Sequence, residues 1–435
     1  MALKVKSIRG TRDVVPADAA KWQYVERVAL EVAGTCGVEE LRVPTIERTE
    51  LFVRSVGDTT DVVQKEMYTF EKGDESITLR PEGTAGFVRA VMETGLLDGA
   101  LPVKVCYGNL SCFRHENPQA GRLREFHQFG VECFGCPSPT ADAEIIGIVH
   151  DICTRLGISG VELHINSIGC PRCRPDYHRA LVDYYKAHCG RLCDTCKERL
   201  EKNPLRVLDC KEEGCAGLKA GAPVILDYLC GECGEHFAGL QQRLSAVEIP
   251  FSVDPFIVRG LDYYTKTVFE FVTEGAGAQG VLCGGGRYDL LVEQMGGSPT
   301  AALGFGMGLE RVLMVMEAQG CAFPPAKPVD LYIGSMGEAE NIKALELAAQ
   351  LRREGFRVLC DTVGRSVKAQ MRYANKMGAR FSCILGSSEL ERGAAVVKDM
   401  DSGEGTSAAL TGEGLRGFLY GALADPRAFT IGTDK

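Results

Sequence analysis

No G-x-x-x-x-G-K-[ST] loop occurs anywhere in the 435 residues. A nucleotide, if bound, is therefore held by side chains rather than by a glycine cradle, which excludes the P-loop NTPases. Also missing is any run of about 18 consecutive apolar residues, so no helix is expected to span a membrane. The opening M-A-L-K-V-K-S-I-R-G has positive charge but no apolar stretch of the signal-peptide kind, and the cytoplasm is the expected compartment. Net positive charge is absent too: the balance is −9. That does not exclude a nucleic-acid partner, because salt confines a charge's field to about 8–10 Å and a local basic patch suffices. Such a patch exists between Arg352 and Arg380, where eight Lys or Arg face only Glu354 and Asp361. The seven histidines form no H-x-x-x-H pair, and no metal is assigned to them. No internal repeat or low-complexity tract stands out.

What remains is an ordinary globular composition, 45% apolar and 25% charged, with length for roughly two to four domains. Two features depart from the ordinary. One is nineteen cysteines, nine of them crowded into 170–233; in a cytosolic chain such crowding points to metal rather than disulfides. The other is a set of three arginines in separate, distinctive contexts: Arg114 in F-R-H-E-N-P, Arg259 opening R-G-L-D-Y-Y, and Arg311 closing G-F-G-M-G-L-E-R. Guanidinium is planar, permanently charged and able to grip phosphate with two parallel hydrogen bonds.

Periodicity predicts an amphipathic helix over 17–35, with Trp22, Val25, Val28, Ala29 and Val32 on one face. A strand-like run follows at 41–46, which Pro44 confines to an edge or an interface. Next comes a hairpin pattern, 66–70 and then 76–84 beyond a turn at Gly73-Asp74, leading into a loop and a helix over 82–92. Residues 103–114 and 124–134 read as an antiparallel pair with a long polar tip; period two puts Phe126, Gln128 and Glu132 on one face. A strand at 160–166 precedes a change of composition at 170–246, read as an inserted module. Strands at 249–254 and 267–272, the glycine-rich 278–288, a helix at 288–295 and a helix from near Met307 to Gln319 complete the first part. After the linker 321–328, strands at 330–333, 356–360 and 381–385 alternate with helices at 338–354 and 366–378, implying a mostly parallel sheet. In the second of these helices Lys368, Arg372 and Lys376 share one face, which ordinarily means a solvated surface.

Each motif has a plain reading as well as a chemical one. The 103–134 pair is either a hairpin with a solvated charged face, or a claw of Arg114, Arg122 and Arg124 on a triphosphate with Phe126 as a stacking surface for a purine. G-F-G-M-G-L-E-R is either strand–turn–helix packing or a helix start that favours an anion. Tyr263 and Tyr264 are either core or the wall of a small polar ligand.

Taken together these runs resemble the class II aminoacyl-tRNA synthetases: motif 1 at 41–48, motif 2 at 103–134 and motif 3 at 301–315. The R-G-L-D-Y-Y element, L-R-P-E-G-T (79–84) and R-G-T-R-D (9–13) are similar to those of the histidine-specific family. The resemblance covers nearly the whole chain. It implies an α+β fold, an antiparallel sheet flanked by helices, with a helical insertion and a C-terminal α/β anticodon-binding domain. The expected layout is core (1–168), Cys-rich insertion (169–247), core (248–320), linker (321–328) and anticodon-binding domain (329–435).

The resemblance further implies a histidine–tRNA ligase acting on L-histidine, ATP with Mg2+, and tRNA(His), and a homodimer joined through the motif 1 edge. Arg114 would hold the α-phosphate and Arg311 the γ-phosphate. Glu116 and Arg122 would orient the nucleotide, and Phe126 would stack on adenine. Glu82, Gly83, Thr84, Gln128, Glu132, Tyr263 and Tyr264 would surround histidine. Arg259 would stand beside the reacting carboxylate and α-phosphate, making Arg259, Arg114 and Gln128 the expected catalytic set. The chemistry agrees: two anions react, and guanidinium groups lower their repulsion. A synthetase-like regulatory subunit of an ATP phosphoribosyltransferase is the nearest rival, but such paralogues lack the C-terminal domain and parts of the motifs. A zinc-dependent RNA-binding module is the other; it has no need of three phosphate-directed arginines.

The cysteine spacing suggests structural zinc. Cys170-x2-Cys173 and Cys193-x2-Cys196 suit one four-thiolate site, and Cys210-x4-Cys215 with Cys230-x2-Cys233 a second. The plain alternative is reduced thiols packed in a small helical module.

Overall fold

The computed structural model describes residues 5–57, 60, 62–274, 280–325 and 328–423. The chain divides into two compact units, Met1–Pro324 and Pro325–Lys435.

Helix α1 (Pro16–Thr35) starts with proline at its first position and buries Trp22, Val25, Val28, Ala29 and Val32, as its periodicity predicts. Each large aliphatic side chain so buried contributes roughly 1.5–3 kcal/mol. The strand expected at 41–46 does not form as one piece. It splits into β1 (Glu39–Glu40) and β2 (Ile46–Arg48) around an irregular stretch. Pro44 lacks an N–H for a ladder. The Arg80 guanidinium takes the carbonyls of Val43 and Pro44, at 3.0 and 2.9 Å, that a neighbouring strand would otherwise have used. Helix α2 (Thr49–Val56), then strands β3 (Tyr68–Lys72) and β4 (Glu75–Leu79), build a small sheet in the order β2-β4-β3. The β3–β4 hairpin turns at Gly73, whose φ of +61° suits a residue without Cβ. Helix α3 (Thr84–Glu93) begins two residues later than expected, because the Glu82 carboxylate stays outside it and accepts the first N–H groups, from Thr84 and Ala85.

The long pair β5 (Val103–Phe113) and β6 (Glu125–Phe134) is antiparallel, as its pattern predicts. Helix α4 (Pro139–Arg155) is capped by Ser138, and strand β7 (Glu162–Ser167) follows. The cysteine-rich stretch contributes α5 (Arg174–Ala187), α6 (Asp194–Lys202), α7 (Glu213–Ala216) and α8 (Gly231–Ala246). The first three close on a core of their own around Tyr177, Leu181 and Tyr185. Helix α8 instead sends Phe237, Leu240 and Leu244 into the main core with α1 and α4. Of the strand expected at 249–254 only β8 (Ser252–Val253) forms; β9 (Thr265–Val272) matches its expected span closely. Strand β10 (Val281–Arg287) occupies the glycine-rich run, of which residues 278 and 279 lie outside the described residues. The helix expected at 288–295 shortens to α9 (Leu291–Gln294). Strand β11 (Ala302–Gly308) runs through Met307 before α10 (Leu309–Gln319) starts.

These strands form one sheet in the order β1-β5-β6-β11-β10-β9-β7-β8, antiparallel except for the β1–β5 and β7–β8 pairs. Alternation gives it two distinct faces. One carries Phe129, Val131, Cys133, Leu303, Phe305 and Met307 into the main core. The other presents Gln128, Gly130 and Glu132 on β6 opposite Gly308, Gly306 and Gly304 on β11. Gly284 and Gly286 of β10 pair with Gly306 and Gly304, and Glu270 of β9 pairs with Gly284. The sheet centre on this face is nearly bare of side chains, which leaves room for a ligand.

The second unit begins with β12 (Val329–Ser335), α11 (Glu338–Arg353), β13 (Val358–Cys360), α12 (Val367–Lys376) and β14 (Ala379–Leu385). Their parallel pairing follows from the βαβ alternation. The unit then adds elements that the pattern did not announce: α13 (Ser387–Arg392), β15 (Ala394–Asp399), β16 (Gly405–Ala409) and α14 (Gly412–Leu423). The two strands extend the sheet antiparallel, in the order β13-β12-β14-β15-β16. They are short and half polar, so alternation alone did not separate them from loop.

Candidate active site

The glycine-lined face opens into two adjoining lobes that share Arg114, Arg122, Gln128, Arg259, Gly284 and Gly306. The smaller encloses about 220 Å3 and adds Glu116, Phe126, Glu310 and Arg311. The larger encloses about 430 Å3 and adds Glu82, Gly83, Thr84, Tyr263 and Tyr264. Arg114, Arg259 and Arg311, 197 residues apart at the extremes (311 − 114), therefore line one cavity.

Each of the three is held by a different device. Arg114, just past the end of β5, gives its Nε–H to the Pro81 carbonyl at 2.8 Å, and its guanidinium carbon lies 5.5 Å from the Phe126 ring centre. Arg311, in the first turn of α10, donates to the carbonyls of Gly121 (3.0 Å) and Val281 (2.6 Å). Burial lowers its pKa, and the neighbouring charges of Arg122 and Arg259 lower it further. Cations crowded in this way favour a polyanion among them. Arg259 pairs with Glu270 of β9. Burial works against its charge, but Tyr264 and Glu270 outweigh burial and hold the guanidinium above its ordinary pKa. Its Nε is buried with no hydrogen-bond partner among the described residues, leaving a donor unused beside the cavity. Close approach requires glycine at 284: a Cβ there would lie 2.3 Å from an Arg259 guanidinium nitrogen.

Glu116 and Arg122 form an ion pair with each other at the rim of the smaller lobe. Gln128 stands between the two lobes. Glu82 is buried, and burial raises its pKa despite the Thr84 and Ala85 N–H groups that it accepts. Glu132 is the one expected member that does not reach the wall of either lobe. Only 1% exposed, it sits behind the wall and accepts hydrogen bonds from the Thr84 hydroxyl (2.8 Å) and the Tyr288 hydroxyl. Burial pushes its pKa up to about 8; the two hydroxyls counter this and the charge of Glu82 reinforces it. Period two put Glu132 on the site face correctly, but Tyr288 and Thr84 stand between it and the opening. A Cβ at Gly304 would lie 1.9 Å from the Glu132 carboxylate.

Several lining residues escaped the sequence reading. Arg206, Asp209 and Lys211 come from the cysteine-rich stretch and line the larger lobe. Nothing local marks them, since only the folding back of that stretch brings them there. Glu270 and Tyr288 carried a weak signal: a carboxylate inside the apolar strand T-V-F-E-F-V, and a tyrosine directly after G-G-G-R. The eight candidate cysteines do gather in fours, but not in the sets the spacing suggested. Cys170 and Cys173 meet Cys230 and Cys233, while Cys193 and Cys196 meet Cys210 and Cys215. Order along the chain misled because the stretch closes as a nested hairpin, bringing its outer pairs together and its inner pairs together.

The histidyl-tRNA synthetase family profile matches residues 10–172 and 225–312. The chain belongs to the histidyl-tRNA synthetase family. An anticodon-binding-domain profile matches residues 330–411. Over 397 residues the chain is 53% identical to a histidine–tRNA ligase of Acetivibrio thermocellus, covering 91% of this chain and 95% of that one. To a histidine–tRNA ligase of Clostridium perfringens it is 49% identical over 404 residues, covering 92% and 96%. The crystal structure of apo histidyl-tRNA synthetase from S. aureus superposes with a TM-score of 0.80 at 35% identity, covering 95% of this chain and 99% of that one. The histidyl-tRNA synthetase profile passes over 173–224, the part that carries α5, α6, α7 and the inner cysteines. No helix among the described residues is long and apolar enough to cross a membrane.

Proposed function

We propose that this chain activates L-histidine with ATP and transfers the histidyl group to tRNA(His), working as a homodimer. The observation that carries the reading is the convergence of Arg114, Arg259 and Arg311 on one cavity that continues into a chamber walled by Glu82, Thr84, Tyr263 and Tyr264. In this reading the smaller lobe takes ATP. Arg114 meets the α-phosphate, Arg311 the γ-phosphate and Phe126 the adenine, while the Glu116–Arg122 pair orients the nucleotide. Glu310, which lines this lobe and accepts from the His127 N–H, would offer carboxylate oxygen to Mg2+ bound with the phosphates, which would neutralise part of their charge.

Histidine occupies the larger lobe with its carboxylate toward Arg259. Glu82, Gly83, Thr84, Gln128, Tyr263 and Tyr264 surround it, and Glu132 acts through Thr84 and Tyr288. A carboxylate oxygen then attacks the α-phosphorus and pyrophosphate leaves. Arg114 and Arg259 screen the approach of two anions and stabilise the charge that builds in the transition state. A buried chamber that hydrogen-bonds its substrate rejects look-alikes strongly, because they leave its polar groups unpaired. Structural zinc on the eight cysteines is part of the same reading and takes no part in the reaction.

The test is histidine-dependent ATP–pyrophosphate exchange by the purified protein. Exchange driven by histidine and by no other amino acid is expected. Histidine binding without exchange would instead favour a regulatory subunit, and exchange driven by another amino acid would overturn the assignment of the chamber.

A further inference from the structure

We propose that the cysteine-rich stretch binds two zinc ions in nested sites: one on Cys170, Cys173, Cys230 and Cys233, the other on Cys193, Cys196, Cys210 and Cys215. Within each set the four sulfur atoms all lie within 4.8 Å of one another. In the outer set Cys170 Sγ is 3.7 Å from Cys173 Sγ and 3.9 Å from Cys230 Sγ; in the inner set Cys193 Sγ is 3.8 Å from Cys210 Sγ. A zinc–sulfur bond of about 2.3 Å in a tetrahedron places neighbouring sulfurs about 3.8 Å apart. Disulfides require about 2.05 Å, so these sulfurs are unbonded to one another. A cluster of several irons puts metal atoms between the thiolates and spreads them wider than this.

Three further observations fit metal sites better than packed thiols. Each pair, in both sets, has its first cysteine half-buried and its second buried, so every ligand pair reaches from the surface into the module. In the outer set the Cys230 N–H donates to Cys173 Sγ at 3.2 Å, and in the inner set the Cys193 N–H donates to Cys215 Sγ at 3.3 Å. Such outer-shell donors steady a ligating thiolate. Cys189 lies in the same stretch, is exposed, and belongs to neither set. A small module with a limited core commonly relies on such a staple.

Nesting gives the two ions different consequences. The outer site joins the chain where it leaves β7 to the point where it enters α8. The next residue, Arg174, donates to the carbonyls of Ile168 and Tyr264. Tyr264 lines the larger lobe, so the outer ion braces a wall of the chamber. The inner site closes the lobe that carries Arg206, which donates to the Gly260 carbonyl (2.7 Å) and to Asp262 Oδ1 (2.9 Å), just after Arg259. This consequence rests on the proposed histidine chamber; the metal count does not.

Elemental analysis of reduced protein, purified without added metal, should find two zinc per chain. The Cys170→Ser/Cys230→Ser variant should retain one, and so should Cys193→Ser/Cys210→Ser, whereas Cys189→Ser should keep both. If sites formed in chain order, each of the two double variants would damage both sites and lose both ions. Should a double variant fail to fold, the wild type decides. Stripped of metal and titrated with Co2+ under reductant, it should develop thiolate-to-cobalt absorption that saturates at two equivalents. Saturation at one equivalent or none, iron in place of zinc, or loss of both ions from a folded double variant overturns the proposal. Because these readouts do not involve catalysis, they stand whether or not histidine-dependent exchange is found. In a variant that keeps only the inner ion, the KM for histidine should rise more than kcat falls; an unchanged KM would remove the bracing role while leaving the sites.

Discussion

Arg259 concentrates the physics of this site in one side chain. Burial opposes its charge, Glu270 and Tyr264 restore it, and Gly284 makes room for it. Replacing it with alanine is expected to lower the kcat of histidine-dependent exchange by about 10²–10³-fold, the usual loss when a preorganised charge-stabilising donor is removed. Circular dichroism should remain native. The Gly284→Ala variant should reproduce part of that loss without touching the guanidinium chemically, because the new Cβ pushes Arg259 from its place.

Glu132 supports a different test at the same scale. Its carboxyl has a pKa near 8 in the folded chain, above the ordinary 4.5, so the folded state holds a proton that the unfolded state releases over that interval. Stability therefore falls as pH rises from about 4.5 to about 8 and levels off above it. Glu132→Gln, which mimics the protonated form, removes this contribution. The wild type should thus lose stability relative to the variant across that window, as read by denaturant midpoints at a series of pH values. Parallel curves would show that Glu132 is ionised in the folded chain.

Between elements, the link with most at stake is Arg287 of β10 with Asp142 of α4. Both side chains are fully buried, and Arg287 Nη2 meets Asp142 Oδ2 at 2.6 Å. His236 of α8 reaches the same carboxylate at 3.3 Å, so one aspartate ties three elements behind the sheet. Removing one partner of a buried pair leaves an uncompensated charge, at a cost of about 3–5 kcal/mol. Arg287→Ala should show that loss in chemical denaturation, whereas the double variant Arg287→Met/Asp142→Leu should recover much of it. At this scale the pattern of polar and apolar residues was a good guide for long elements and a poor one for short ones. α1, β5, β6 and β9 follow their periodicity, because a repeating apolar face has only one way to be buried. The 41–46 run departs from it because Arg80, distant in sequence, claims its carbonyls.

Across the whole molecule, each unit buries its own core, the second around Leu331, Ile333, Leu347 and Leu351. On α12 the buried Gln370 and Ala374 face inward, and Lys368, Arg372 and Lys376 are exposed. If this face meets tRNA phosphates, replacing all three with glutamine should leave ATP–pyrophosphate exchange unchanged and weaken charging. The slope of log K for tRNA against log salt should drop by roughly two to three units, since each lost phosphate contact removes about 0.7–0.9. An unaltered slope would assign the face to solvent.

The sequence by itself determined the family, the long elements and the motif residues that line the cavity. Motif residues such as Arg114, Gln128 and Arg311 sit on strands and helix starts whose local pattern already sets their direction. Only the tertiary structure decided that Glu132 lies behind the wall, that Arg206, Asp209 and Lys211 enter the larger lobe, and that the cysteines pair as nested sets. Periodicity says which face a side chain takes, because backbone geometry is local. It carries no information on what another segment places in front of that face, because such contacts are made between residues tens to hundreds of positions apart.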